Sequence, residues 1–335
     1  AQGDYEHADD DLGRARIYLQ RAGNAEDAAS VDVNLGLLAR LPQRDSRAIG
    51  HFDRAAEIFR RDQVRDNLAA ALLGKAQAQL ALVDLEGARR SSGQAWALAA
   101  GLANPILVSR LGLARTRVLL RSGSLNEADA VLAKVQPVAA DRPLAILLKA
   151  RLAQARGDAQ RAARVLQPLI NGRDGPLFEA LPDWVVASAQ SEQAVAEDAP
   201  WLALEIDSLS GPQDRIALLL ARALWEQTHQ KNEKAARQFG QAMDLSHRSG
   251  TPSDVVRVGT AQAWFLLDQG KLDQATAIVG ELTPYAERDF AVAQLTAALY
   301  RKLGETRLAD AAAKRARQLA GERNPDRRAL DQGGF

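Results

Sequence analysis

The sequence predicts an all-α protein built from a repeated pair of antiparallel helices, and three observations lead to this prediction. The 335 residues are dominated by Ala, Leu, Arg and Gln, which form helices readily. No long run alternates apolar and polar residues, as a half-buried strand requires. Small residues also return at a fixed spacing along most of the chain, which indicates a repeated structural unit.

The repeat is clearest around Leu35 and Gly36. Ala48 follows twelve residues after the glycine, and Phe52 follows four residues after the alanine. Gly36 and Ala48 must be small because two helices cross closely there. Leu35, Phe52 and Ala55 fill the space between one helix pair and the next. The pattern predicts a helix–turn–helix unit.

The equivalent alanine can be followed in steps of 40 and 34 residues up to Ala162, and it resumes after an irregular stretch at Ala235 with steps of 40 and 34. Its positions are Ala8, Ala48, Ala88, Ala128, Ala162, Ala235, Ala275 and Ala309. A step of 40 residues adds about one helical turn, or a longer connection, to the common 34-residue unit. We therefore expect long first helices over 65–82 and 106–120.

The turns within each unit support the same spacing. Gly123, Gly157, Gly270 and Gly304 stand where a first helix must end in a left-handed or otherwise open residue. The turn before Leu85 occupies the same place without a glycine.

These residues give the chain its resemblance to a known family. Over most of residues 1–320 it resembles the tetratricopeptide repeat family, in particular the subtype with units of about 40 residues found in bacterial signalling regulators. The resemblance implies a right-handed superhelical solenoid whose first helices line a concave groove. Two features depart from the family pattern: its first-helix tyrosine is present only as Tyr300, and Arg115 and Thr116 replace Leu-Gly in the fourth unit.

The repeat spacing divides the chain into four parts. We expect an array over 1–170 that begins in mid-repeat, a junction over 171–214, a second array over 215–320 and a flexible polar tail over 321–335. The start in mid-repeat suggests a fragment of a longer protein.

Breaker residues at both ends mark the junction. It is expected to be a degenerate hairpin, with Pro182 starting one helix and Pro200 a second. A hinge between two independent arrays is the alternative.

The residue types exclude most catalytic chemistry. The chain has no cysteine, and its four histidines form no paired metal-ligand motif, so each is expected to be solvated or to cap a helix. No phosphate-binding loop or nucleophile elbow is present. We therefore expect no enzyme activity, no cofactor and no metal. The net charge of +1 argues against nucleic acid as a partner, and no apolar run is long enough to span a membrane.

The resemblance places a set of side chains in the groove. The predicted partner-binding residues are Arg40, Gln77, Arg110, Arg117, Arg121, Arg151, Arg257 and Trp264, and the corresponding positions of the last two units hold Asp268 and Gln294. Independently of the family, Arg110, Arg117 and Arg121 fall within about 40° of one another on a single helix face.

Two interpretations of these residues remain open. The arginines bind an acidic peptide or a C-terminal carboxylate through bidentate guanidinium contacts, or they form a solvated face that maintains solubility. Trp264 is either an anchor in the groove or part of the packing between helices.

The predicted function is a non-enzymatic protein–protein interaction scaffold that binds an acidic segment. We expect it to be the partner- or signal-binding part of a larger bacterial regulatory protein in the cytoplasm, with homo-oligomers possible. The alternative is a periplasmic or outer-membrane lipoprotein scaffold for the assembly of envelope or secretion machinery.

Overall fold

A computed structural model describes residues 2–41, 43–172, 175–192 and 195–333. These ranges contain α-helices and short 3-10 turns, and no β-strand. The α-helices of the first half are α1 Gln2–Arg21, α2 Ala25–Arg40, α3 Asp45–Arg61, α4 Arg65–Ala81, α5 Leu85–Leu98, α6 Pro105–Arg121, α7 Leu125–Leu132 and α8 Arg142–Ala155. Those of the second half are α9 Ala159–Ile170, α10 Leu181–Gln190, α11 Pro212–Thr228, α12 Asn232–Ser249, α13 Pro252–Asp268, α14 Leu272–Leu282, α15 Phe290–Lys302 and α16 Thr306–Ala320.

The predicted all-α fold of repeated helix pairs is confirmed. The first helices are α2, α4, α6, α8, α11, α13 and α15, and each is followed by its second helix after a short turn. The repeat alanine is 0–3% exposed in every unit from Ala48 onward. The long first helices expected over 65–82 and 106–120 correspond to α4 and α6.

Each turn from a first to a second helix places a left-handed residue two positions before the second helix. The φ angles lie between 59° and 89°, at Gln43, Val83, Gly123, Gly157, Gln230, Gly270 and Gly304. Glycine takes this conformation without strain, whereas in any other residue the left-handed backbone is less favourable by about 1–2 kcal/mol. Four of these turns can therefore be recognised in the sequence by their glycine. The turns at Gln43, Val83 and Gln230 cannot, because no glycine marks them.

The close helix crossing predicted at Gly36 has a specific cause, which is the ring of Phe52. Phe52 on α3 is fully buried between α2 and α4. A Cβ atom on Gly36 would lie 2.7 Å from the ring, and one on Gly74 would lie 2.4 Å from it. Both distances are shorter than real contacts, so glycine is required on both sides of the ring.

The helices form two compact units with boundaries that differ from the predicted ones. The first unit holds the chain up to Val118 together with 131–141, and the second holds 119–130 and everything from Arg142 onward. In the first unit α1 to α5 pack in sequence, around a core that includes Phe59, Leu72 and Leu111.

The second unit continues the helix pairs and inserts one extra helix. Among the described residues between α9 and α11, the one α-helix is α10, which packs against both neighbours, with Pro182 in its first turn as expected. The second helix expected at Pro200 is absent from the described residues around it, which form two short 3-10 turns over Pro200–Ala203 and Ile206–Ser208. Residues 173–174 and 193–194 of the predicted junction lie outside the described residues.

The chain beyond α16 differs from the predicted flexible tail. A 3-10 turn over Ala329–Gln332 packs against α8, α10 and α15. Ala329 is 1% exposed and joins a cluster with Phe290 and Ala316, and Gln332 is 2% exposed. A few small and polar residues fix this segment through specific contacts, which its polar composition does not reveal. Residues 334–335 lie outside the described residues.

Candidate functional site

The predicted groove residues all lie on first helices, but they divide between the two compact units. The first unit holds Arg40, Gln77, Arg110 and Arg117, and the second holds Arg121, Arg151, Arg257 and Trp264. In each unit, the side of the first helices that carries these residues is the first-helix face of that unit.

In the first unit, Arg40 ties two neighbouring helices together. Its Nε donates to Asp45 Oδ1 over 3.2 Å, and its guanidinium donates to Gln77 Oε1 over 2.7 Å. Arg110 on α6 is different, because its side chain is 58% exposed and its Nε lies 3.8 Å from Asp141 Oδ1. That distance is too long for a hydrogen bond, so Arg110 can turn towards a ligand. Arg117 is half-buried on the same helix.

In the second unit, Arg151 on α8 is buried in an ion-pair cluster. Its guanidinium donates to Asp183 over 2.9 Å and to Glu179 over 3.1 Å, and Asp183 is fully buried. Burial opposes both charges. For Arg151 the two carboxylates more than offset burial and raise the pKa of the guanidinium. For Asp183 burial prevails over Arg151 and raises the pKa of the carboxyl group. Arg151 therefore holds a structural charge pair and is not open to solvent.

Two more predicted groove arginines of the second unit contact residues that cap helices. Arg121 donates to Asp289 over 2.7 Å, and Asp289 accepts hydrogen bonds from the first backbone amides of α15. Arg257 donates to Asp254, which forms a capping box with Thr251 at the start of α13. Both arginines thus reinforce helix N-termini.

Most of the predicted arginines therefore have a carboxylate at ion-pair distance. This holds for Arg40, Arg110, Arg121, Arg151 and Arg257. The partners come from other helices, from a helix cap or a short 3-10 turn, and for Arg257 from the preceding turn of its own helix. The predicted face is consequently not a row of uncompensated positive charges.

Trp264 makes a contact that sequence reasoning missed. The residue is 9% exposed, and the guanidinium of Arg328 stacks over its ring, 4.4 Å from the ring centroid. The same guanidinium donates to both oxygens of Asp268, over 2.6 and 2.7 Å. Gln294 on α15 binds the main chain on both sides of Arg328. The family resemblance placed Trp264, Asp268 and Gln294 on the groove side, but the sequence gave no signal that residues after α16 would meet them.

A second cluster missed from the sequence lies between α2 and α3 in the first unit. Asp32 is 4% exposed and meets His51 Nδ1 at 2.8 Å and the guanidinium of Arg54 at 3.0 Å. Burial opposes the charge on Asp32, but the hydrogen bonds from His51 and Arg54, with the charges of Arg54 and Arg16, outweigh it and lower the pKa of Asp32. His51 is therefore a buried partner and not the solvated or capping residue expected.

Replacing Asp32 with asparagine is expected to lower the free energy of unfolding by about 1–2 kcal/mol at pH 7, because it removes a buried charged acceptor. The folded-state pKa of Asp32 lies below the unfolded value, so its contribution is present above about pH 4 and is lost as the pH falls through the folded-state pKa. Urea melts between pH 7 and pH 3 should show the variant and the wild type converging in acid.

The control is Asp53→Asn, since Asp53 is 51% exposed beside Lys75. That change is expected to alter the unfolding free energy by less than about 0.5 kcal/mol. A deficit for Asp32→Asn of the same size at every pH would contradict the assignment.

The described part of the chain lacks two features. Its His, Asp and Glu residues form no group of three that could hold a metal ion. None of its helices has the length and apolar character needed to cross a membrane.

No protein-family model matches the sequence, and no curated protein matches it. Among solved structures, the chain is similar to a tetratricopeptide repeat protein from Parabacteroides merdae, with 17% identity, 79% of this chain and 97% of that chain covered, and a TM-score of 0.44. It is also similar to the APC/C hetero-tetramer Cut9–Hcn1, with 14% identity, 93% and 72% covered, and a TM-score of 0.29. A third is Naa15/Naa10 bound to HypK, with 16% identity, 98% and 57% covered, and a TM-score of 0.28. At these identities the likeness concerns the fold alone.

Proposed function

We propose that the chain is a protein–protein interaction scaffold without catalysis of its own. The observation that carries this proposal is a row of equivalent first-helix positions, 40 residues apart, that all retain contact with solvent. Leu37 on α2 is 47% exposed, and Gln77 on α4 and Arg117 on α6 are half-buried. Stacked helix pairs present such rows as an extended surface for a partner.

The proposed partner of the first unit is an acidic segment. Arg110 supports this choice because it combines high exposure with a carboxylate contact too long to be a hydrogen bond. An incoming carboxylate offers the guanidinium two short, parallel hydrogen bonds in place of that contact. Two apolar side chains on first helices of this unit, Leu37 on α2 and Ile106 one turn before Arg110 on α6, are both nearly half-exposed and suit a segment that alternates acidic and apolar side chains.

Changing Arg110 to glutamate is expected to weaken the binding of such a segment by about tenfold or more, because one attraction becomes a repulsion. The probe is a fluorescent peptide of alternating glutamate and leucine, measured by anisotropy at two salt concentrations. The matched control is Arg61→Glu, because Arg61 is 63% exposed but lies on a second helix.

The two variants separate the possible results. Weakening by Arg110→Glu alone supports the proposed face. Equal weakening by both variants would mean that only net charge matters, and no binding to the wild type would reject an acidic partner.

On the family resemblance alone, we also propose that the scaffold serves a larger bacterial regulatory protein in the cytoplasm. Cell fractionation of the full-length protein tests this. Recovery with the outer membrane or the periplasm would favour the lipoprotein alternative.

A further inference from the structure

The last described residues of the chain lie along the first-helix face of the second unit. We call residues 322–333 the C-terminal segment. It begins at the turn between α6 and α7, where Glu322 N donates to Gly123 O over 2.8 Å and Asn126 N donates to the Glu322 carboxylate. It ends at Gly333, where an added Cβ would lie 3.2 Å from the carbonyl oxygen of Arg151 on α8.

Gln294 holds the main chain of the C-terminal segment through three hydrogen bonds. Its Nε2 donates to Pro325 O over 2.8 Å and to Arg327 O over 2.6 Å, and its Oε1 accepts from Ala329 N over 2.8 Å. Gln190 on α10 donates to Asp331 O further along. Contacts of this kind recognise a backbone path and require no particular side chains.

One side chain of the C-terminal segment is recognised by its charge and shape. Arg328 donates to both carboxylate oxygens of Asp268 and stacks on Trp264. Asp268 thus binds the N–H groups at the edge of the planar guanidinium, and the Trp264 ring contacts its face. The side chains of Arg328 and Asp268 are 38% and 36% exposed, so water can reach the ion pair and replace its hydrogen bonds. An open cleft of about 350 Å³ remains beside the segment, between Asn126, Arg156 and Arg327.

The C-terminal segment also holds its own bound shape. Gln332 Nε2 donates to the carbonyl oxygens of Asn324 and Arg327, and Gln332 Oε1 accepts from Asn324 N. The result is a closed turn that presents Arg328 outward to α13. Such internal order reduces the entropy lost on binding, as in a preorganised ligand.

We propose that Trp264, Asp268 and Gln294 form a recognition site for an arginine-bearing segment of a partner protein, and that the C-terminal segment occupies this site in cis. This inference rests on the proposed scaffold function and specifies a partner for the second unit. The partner is basic at the point of contact, in contrast to the acidic segment proposed for the first unit. Because a tethered ligand acts at an effective concentration in the millimolar range, the site is closed until a partner competes.

The experiment uses the full chain and a fluorescent peptide with the sequence of residues 322–333. The Arg328→Ala chain loses the side chain that anchors the C-terminal segment but keeps the site intact. We expect it to bind the peptide about tenfold more tightly than the wild type. The matched control is Arg327→Ala, because the Arg327 side chain donates within the segment, to Asp331 O, and contacts neither Asp268 nor Trp264. This control is expected to bind the peptide like the wild type.

Two further variants locate the binding. A peptide that itself carries Arg328→Ala is expected to bind the opened chain at least tenfold more weakly, and Asp268→Asn in the opened chain is expected to weaken binding to a similar extent. Hydrogen exchange provides an independent measure: the backbone amides of Arg328 and Ala329 should exchange faster than those in the middle of α15.

The inference is overturned if Arg328→Ala binds the peptide no more tightly than Arg327→Ala, or if the C-terminal segment exchanges only together with α15. Either result would make the segment a fixed part of the core that contains Ala329. The acidic-peptide assay on Arg110 reports on the first unit, so a failure of this inference is distinguishable from a failure of the proposed function.

Discussion

Replacing Arg151 with methionine is expected to lower the free energy of unfolding by about 3–5 kcal/mol, the usual effect of removing one partner from a buried ion pair. Methionine keeps the apolar stem of the side chain and removes the charge. Asp183, which is fully buried, would then lose the guanidinium that donates to it, and only the weaker influence of the Arg257 charge would remain. Urea unfolding of the full chain at pH 7, followed by circular dichroism, measures the loss.

The pH dependence of this variant distinguishes a lost charge pair from a packing defect. Burial already raises the pKa of Asp183, and the loss of Arg151 raises it further. A carboxyl group with a raised folded-state pKa destabilises the fold increasingly as the pH rises from the unfolded value, about 4, towards the folded value. The deficit of Arg151→Met should therefore be smaller at pH 4 than at pH 7.

A double variant is the control for the Arg151 prediction. Arg151→Met combined with Asp183→Leu removes both charges and replaces them with apolar side chains of similar size. We expect most of the stability to return, because buried ion pairs are often replaced by apolar pairs at little cost. Glu179 is 35% exposed and can turn to water. A double variant as unstable as the single one would show that the pair is needed for packing and not only for charge balance.

The repeat architecture could be predicted from the sequence because it depends on spacing alone. The helix period decides which residues face a neighbouring helix, and the recurring alanine marks where two helices touch. Ala48, Ala88 and Ala128 are accordingly fully buried. The family resemblance, and not the helix period, implied that Trp264, Asp268 and Gln294 lie on the groove side, and the structure brings them to a common segment.

The electrostatic part of the site could not be predicted in the same way. The family resemblance implied that Arg121 and Arg151 lie on the groove side of the first helices, but the carboxylates that meet them are Asp289 and Asp183, far away in the sequence. Only the packing of distant helices decides those pairs. A row of arginines in a sequence therefore indicates where charge lies along a helix and not whether that charge is available to a partner.

The prediction of a flexible tail over 321–335 failed for a related reason. Composition predicts disorder where too little apolar surface is available for burial. The C-terminal segment is held mainly by hydrogen bonds from Gln294 and Gln332 and by one arginine, together with the small apolar contact of Ala329. Such contacts depend on exact positions of single side chains, and averages over composition do not record them.

Replacing Phe52 with alanine is expected to lower the free energy of unfolding by about 3–5 kcal/mol, because a fully buried ring leaves a cavity that the neighbouring helices close only in part. The complementary change is Gly74→Ala, which places a methyl group where only 2.4 Å separates the new Cβ from the ring. Overpacking lowers the free energy of unfolding by about 1–3 kcal/mol, whereas replacing glycine by alanine within a helix raises it by about 1 kcal/mol. A net loss is expected, measured by urea unfolding at pH 7.

The two changes should interact when combined, because both act on one small volume. Phe52→Leu shortens the side chain and makes room for the methyl group, so Gly74→Ala should cost less in that background than in the wild type. Gly13→Ala in α1 is the matched control, since no atom lies within 4 Å of the added Cβ and only the helix-propensity gain remains. Strict additivity of Phe52→Leu and Gly74→Ala would contradict the close contact. It would also remove the physical reason for glycine at position 74, which is that α4 approaches the Phe52 ring too closely for a Cβ atom.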